Sequence, residues 1–81
     1  MTEVENGSVE NHGRELVAFE FYTGEAGVRR DGPLIEFAYF GEVPRRSQVG
    51  QQGMIGVDLC VVVELVRSKS RGMVSGRARK L

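Results

Sequence analysis

The chain has 81 residues, which is enough for one small domain and excludes a second hydrophobic core. Eleven Lys and Arg against eleven Asp and Glu give a formal net charge of zero, so any attraction to a polyanion has to be local. One cysteine and one histidine exclude a disulfide-stapled scaffold and a Cys/His zinc module.

The chain also lacks the sequence features of secretion and of membrane spans. Its first residues are acidic and polar, without the basic start or apolar stretch of a signal peptide. The longest near-continuous apolar run, residues 57–66, contains two carboxylates and is half the roughly 20 residues that a bilayer requires. We expect a cytoplasmic or nuclear protein that is not secreted and that uses no membrane, metal or cofactor.

Residues 1–15 form the first segment in chain order. They are rich in Glu, Gly, Asn and Ser and can bury little apolar surface. This composition predicts a flexible acidic N-terminal arm.

Two stretches with period-two alternation follow. Leu16 to Tyr22 places Val17, Phe19 and Phe21 on one face, and the second stretch, residues 34–40, is largely apolar on both faces. Between them, residues 23–33 are predicted to be a connector, in which Asp31-Gly32 is a reversal signal because glycine accepts positive φ.

The last third of the chain holds the strongest strand pattern. Residues 41–56 are predicted to be a loop, because helix-disfavouring glycines recur every three residues after position 50. Residues 57–66 form a β-branched run whose unbroken apolar face is Val57, Leu59, Val61, Val63 and Leu65. A short final strand around Gly72 to Ser75 is a further prediction.

These patterns predict a mainly β fold: a small single-domain antiparallel sheet or an OB- or SH3-like small barrel. The predicted organisation is an acidic arm over 1–15, a β domain over 16–66 and a basic C-terminal tail over 67–81. A domain this small is marginally stable alone. Pairing of exposed strand edges between two copies and a monomeric barrel with closed edges both remain open.

The inventory of reactive side chains predicts no enzyme and no catalytic residue. His12 lies in the polar arm, and Cys60 lies mid-strand between apolar neighbours, where a buried inert thiol is expected. Asp58 and Glu64 are six residues apart on one strand face, which is too far to act together. No phosphate-binding or nucleophile motif occurs in the chain.

Charge segregation is the remaining functional signal. Residues 67–81 carry six basic side chains and no acid, and basic pairs occur in two predicted loops. The composition favours a non-enzymatic protein that binds another protein or associates with itself as a homodimer. The alternative is a barrel that binds RNA or single-stranded DNA. The candidate phosphate contacts are Arg29, Arg30, Arg45, Arg46, Arg67, Lys69, Arg71, Arg77, Arg79 and Lys80, and the candidate stacking side chains are Tyr22, Tyr39 and Phe40.

Overall fold

Six strands make up the fold. The computed structural model describes residues 13–42 and 48–81, which contain no helix. The strands are β1 (Arg14–Ala18), β2 (Thr23–Arg29), β3 (Ile35–Phe40), β4 (Gln52–Ile55), β5 (Asp58–Ser68) and β6 (Met73–Lys80). They close into an antiparallel barrel in the order β1-β2-β3-β6-β5-β4, with β4 paired back onto β1. The predicted mainly β fold is confirmed, and its form is the small barrel.

The barrel consists of two three-stranded meanders, β1-β2-β3 and β4-β5-β6. Two seams join them: six residue pairs between β3 and β6, and two pairs between β1 and β4. Every strand has a neighbour on both sides, so no strand is an edge strand. Of the two alternatives left open by the sequence, the barrel with closed edges is the one observed.

The two ends of the barrel differ in their turns. One end, here called the Gly56 end, carries the β2–β3 and β4–β5 turns and the end of β6. The opposite end, called the Gly72 end, carries the β1–β2 and β3–β4 connections and the β5–β6 turn. Gly56 and Gly72 have φ values of +63° and +64°, a left-handed conformation that favours glycine at both turns.

Inward-pointing side chains from all six strands fill the barrel. Among them Phe37, Ile55 and Val17 are the largest that are fully buried. The alternation predicted for residues 34–40 is confirmed, since Ile35, Phe37 and Tyr39 all lie inside. In the first stretch Val17 and Phe19 are buried as predicted, but β1 ends at Ala18. The chain turns there because the Phe19 N–H donates to the Tyr22 carbonyl at 2.9 Å.

Two strands lie in segments that were predicted to be irregular. The predicted connector over 23–33 contains β2, and the predicted loop over 41–56 contains β4. Both strands carry glycines, which the sequence patterns interpret as breakers. In β4, Gly53 is required because a Cβ there would overlap the Phe19 ring and the Ala18 carbonyl oxygen.

The C-terminal residues also differ from the prediction. Instead of a basic tail with a short strand near Gly72 to Ser75, the eight-residue β6 lies between β3 and β5 and completes the barrel. Val74 and Ala78 are fully buried in it. The barrel thus extends well past the predicted domain limit at residue 66, since β6 buries apolar side chains that a tail would expose.

The faces of β5 differ from the sequence pattern as well. The unbroken apolar face does not face the core: Cys60 and Val62 point inward, while Val57 and Leu59 are exposed. A β-bulge between Val62 and Glu64 then shifts the register, so that Leu65 packs against the core. One apolar face of β5 is consequently left on the outside near the Gly56 end.

Candidate binding surfaces

The candidate phosphate contacts do not share one surface. Arg29, Arg30 and Lys80 lie at the Gly56 end, with Arg79 beside Lys80 on β6. Arg67, Lys69 and Arg71 lie at the Gly72 end, in and beside the β5–β6 turn. Arg45 and Arg46, like His12 and the arm residues 1–12, lie outside the described residues. Any nucleic-acid surface must therefore use a subset of the ten.

A carboxylate cluster neutralises the cations at the Gly56 end. The Arg30 guanidinium forms an ion pair with Glu15, another with Asp58 at 2.9 Å, and donates to the Ile55 carbonyl at 3.1 Å. The Lys80 ammonium lies 3.7 Å from the second Asp58 oxygen. The hydrogen bond from Arg30 holds the pKa of Asp58 below its usual range, while the same bond raises the pKa of Arg30.

A second set of ion pairs runs along the outside of the barrel. Arg29 lies 3.1 Å from Asp31 and 3.8 Å from Glu36. Arg77 lies between Glu36 at 3.8 Å and Glu64 at 3.5 Å, in a register row that crosses β3, β6 and β5. Arg29, Arg77 and, at the Gly56 end, Arg30 and Lys80 thus face carboxylates, which lowers their capacity to attract a phosphate backbone.

The predicted stacking side chains fall into two environments. Tyr39 is only 2% exposed, and its ring stacks on Tyr22 at a centroid distance of 3.8 Å. These two rings end a file of five stacked aromatic rings that runs on through Phe37, Phe19 and Phe21. Phe40, in contrast, is 63% exposed. Tyr22 and Tyr39 are packed in and against the core, and Phe40 is the candidate whose ring is open to a ligand.

The thiol of Cys60 and the carboxylates of Asp58 and Glu64 do not form one site. Cys60 is fully buried, as predicted, and desolvation raises the pKa of its thiol, with the Asp58 carboxylate acting in the same direction. Asp58 and Glu64 belong to different ion-pair groups, to Arg30 and Arg77 respectively. Within 13–42 and 48–81, no group of three or more His, Cys, Asp and Glu side chains could hold a metal ion.

An apolar surface that the sequence did not indicate crosses the outside of the barrel. We call it the outer strip, and it consists of Leu16, Met54, Val57, Leu59 and Leu81. Register places Met54 opposite Leu59, and the Leu81 N–H donates to the Leu59 carbonyl at 3.0 Å, so these three side chains form one cross-strand row. Leu16 is diagonal to Met54, because Met54 pairs with Ala18 two residues further along β1.

The exposure of the strip is unusual for side chains of this size. Val57 is 90% exposed at the tip of the β4–β5 turn, and Leu16 is 61% exposed. Leu59 and Leu81 are 47% and 56% exposed. The only sequence signal for this surface is that residues 57–66 are apolar on both faces, which does not tell which face lies outside.

Comparison with the models of known protein families, with characterised proteins and with solved structures finds no match to this chain. In the part of the chain that the structure describes, no helix has the length and apolar character needed to cross a membrane.

Proposed function

We propose that this barrel is a non-enzymatic binding protein that works by self-association, with the outer strip as its interface. The observation that supports the proposal is the row formed by Met54, Leu59 and Leu81, extended by Leu16 and Val57. Contiguous exposed apolar surface of this kind is the usual mark of a protein contact, whereas single exposed apolar residues are common and carry no meaning.

The closed barrel restricts how two copies can meet. Because the six strands close into a barrel, we expect a partner to be bound by outward-pointing side chains and not by strand addition. The outer strip offers such side chains on β1, β4 and β5 and just after β6. It therefore supplies the four-strand platform that a face-to-face contact requires.

A second copy is the partner that the charge pattern favours. In a two-fold interface the same patch meets itself, so a like charge in the patch would be repelled. None of the five strip residues carries a charged side chain, and the adjacent cations Arg30 and Lys80 are balanced by two carboxylates, Glu15 and Asp58. The strip can thus face its own copy without electrostatic cost.

The size of the molecule is compatible with such a contact. A standard interface covers about 800 Å² of each partner. That is roughly one sixth of the 4988 Å² surface of this chain. The strip residues lie on β1, β4 and β5 or directly beside β5 and β6, so an interface centred on them would cover one side of the barrel.

Sedimentation velocity over a range of protein concentrations tests the proposal. We expect wild-type protein to form a dimer, and Leu59→Lys or Val57→Lys to weaken it at least tenfold, equivalent to about 1.4 kcal/mol. Val66→Lys is the matched control, because Val66 is also an exposed valine of the same region of chain but lies towards the Gly72 end of β5. It should leave the dimer unchanged.

Circular dichroism melting of each variant verifies that it is folded before its association is compared. A wild-type protein that stays monomeric at the highest soluble concentration contradicts the proposal. Equal weakening by Val57→Lys and Val66→Lys would show association that does not use the outer strip.

A further inference from the structure

The β5–β6 turn concentrates positive charge at the Gly72 end. Arg67, Lys69 and Arg71 lie within five residues, and no acid occurs between Leu65 and the last residue of the sequence. Two backbone hydrogen bonds hold the turn. The Arg71 N–H donates to the Ser68 carbonyl at 3.2 Å, and the Gly72 N–H donates to the Lys69 carbonyl at 3.3 Å. These three cations are therefore presented by a short, hydrogen-bonded turn.

A cavity of about 180 Å³ lies between this turn and the end of β3. Arg67, Ser68 and Lys69 line it on the side of the turn, and Glu42 lines it on the side of β3. The Gly41 N–H donates to the Gly72 carbonyl at 3.0 Å and ties the two sides together. With one carboxylate against two cations, the lining has a net charge of +1, which complements a phosphodiester, a singly charged anion.

An exposed aromatic ring lies beside the same cavity. Phe40 immediately precedes Gly41 of the lining, and it pairs in register with Met73, another lining residue. Its ring is 63% exposed and takes no part in the file of stacked rings in the core. An exposed aromatic face next to cations is the combination with which small barrels hold single strands, because every base can stack and every linkage carries a charge.

We propose that the Gly72 end binds single-stranded nucleic acid, with a phosphodiester in the cavity and an adjacent base on Phe40. This site is separate from the outer strip, since Val57 precedes β5 and Ser68 ends it. Self-association and nucleic-acid binding can thus occur together, and the site does not depend on the proposed dimer. Among the ten cations named from the sequence, it selects Arg67, Lys69 and Arg71.

Fluorescence anisotropy with a labelled oligouridylate, at several salt concentrations, tests this site in the full chain. If three phosphates are neutralised, the slope of log affinity against log salt should be about −2. Lys69→Ser and Arg71→Ser should each weaken binding several-fold and make the slope shallower by about 0.7. Arg79→Ser, which removes an exposed cation at the far end of β6, is the matched control and should change little.

Substitution of Phe40 should affect the affinity for oligouridylate without affecting its salt dependence, unlike substitution of the cations. Phe40→Ala and Phe40→Leu should each weaken oligouridylate at least tenfold and leave the salt slope unchanged, because no charge is removed. Phe40→Leu keeps an apolar side chain at this exposed position, so a loss common to both variants reports the ring and not the fold. Duplex DNA of the same length should bind more weakly than the single strand.

Three results would overturn the proposal. The first is the absence of any anisotropy change with wild-type protein at low salt. The second is an equal loss with Arg79→Ser and Lys69→Ser, which would indicate diffuse charge attraction. The third is duplex binding as tight as single-strand binding and unaffected by Phe40→Ala. None of them bears on whether the outer strip forms a dimer.

Discussion

At the scale of single residues, the ion pairs of Asp58 link the stability of the protein to acid pH. Its pKa is held below the ordinary value by Arg30, so the folded state favours the ionised form more than the unfolded chain does. The stabilisation is complete above the ordinary aspartate pKa of about 3.9 and is lost as the pH falls through the lowered value. Acid therefore weakens the Gly56 end by releasing Asp58 from Arg30 and Lys80.

Urea unfolding of wild type and Asp58→Asn, at neutral pH and near pH 3, measures how much free energy of unfolding each protein loses in acid. The variant should be less stable than wild type at neutral pH and should lose less free energy of unfolding on acidification. Asp31→Asn, which removes a carboxylate that is 69% exposed, serves as the control and should keep the wild-type acid response. An identical acid response in Asp58→Asn and wild type would contradict the assignment.

The buried hydroxyl of Tyr39 makes the stability of the protein depend on alkaline pH. Its hydroxyl is buried with no hydrogen-bond partner in the described part of the chain, and burial, with Tyr22 as the smaller cause, raises the pKa of Tyr39 to about 12. A raised folded-state pKa means full stability below pH 10 and progressive loss as the pH rises towards 12.

We expect Tyr39→Phe to raise the free energy of unfolding at neutral pH by about 1 kcal/mol, because it removes a buried unsatisfied group and keeps the stacked ring. It should also flatten the loss of stability between about pH 10 and 12. Denaturant titration at pH 7 and at alkaline pH measures both effects. Destabilisation at pH 7 would show that the hydroxyl has a partner.

At the scale of secondary-structure elements, the seam between β1 and β4 is the closing contact of the barrel. Gly53 lies beside it, where a Cβ would overlap the Phe19 ring and the Ala18 backbone oxygen. Gly53→Ala should lower the free energy of unfolding by about 1–3 kcal/mol through overpacking. Gly32→Ala, at a position with no atom near the added Cβ, should stay within about 0.5 kcal/mol of wild type. Thermal melting distinguishes the two variants.

The same seam shows why some elements were predictable and others were not. β3 follows from its own alternation of large apolar residues, a local pattern that its neighbours do not alter. β4 does not, because its one glycine, Gly53, is required by Phe19, more than thirty residues earlier. For β6 the sequence predicts only a short strand, because Arg and Lys at its outer positions make the segment appear polar although Val74 and Ala78 are buried.

The sequence predicts which residues are candidates for binding, but not which of them lie together in the folded protein. That Cys60 is buried followed from its apolar neighbours. That Arg30 pairs with Asp58 did not, because the two are 28 residues apart and meet only through the register of the closed barrel. The outer strip did not follow either, because residues 57–66 are largely apolar on both faces and their periodicity does not tell which face lies outside.

At the scale of the whole molecule, β6 has a structural role that its basic composition hides. It pairs with β3 and β5 and supplies part of the core. We expect a chain without residues 73–81 to lose cooperative unfolding, as measured by circular dichroism, because a six-strand barrel cannot close with five. Deletion of residues 1–10, whose composition can bury little apolar surface, should preserve the transition. A cooperative transition in the first deletion would mean that β6 is dispensable.

The charged side chains are distributed differently at the two ends of the barrel. Carboxylates and cations balance at the Gly56 end, where Glu15, Arg30, Asp58 and Lys80 meet. At the other end the charged residues of the β5–β6 turn are all basic, and Glu42 lies across the cavity from them. A net charge of zero thus conceals a molecule with two electrostatically different ends, one suited to an uncharged contact and the other to an anion.

The division into two meanders has a consequence for the kinetics of folding. Within each meander the partners are close along the chain, whereas the seams bring together Val17 with Ile55 and Ile35 with Ala78. Long-range contacts of this kind slow folding, because the entropy of loop closure is lost before they stabilise the product. The rate-limiting event should be the encounter of two preformed halves, so a longer connection between β3 and β4 would slow refolding and leave the rate of unfolding almost unchanged.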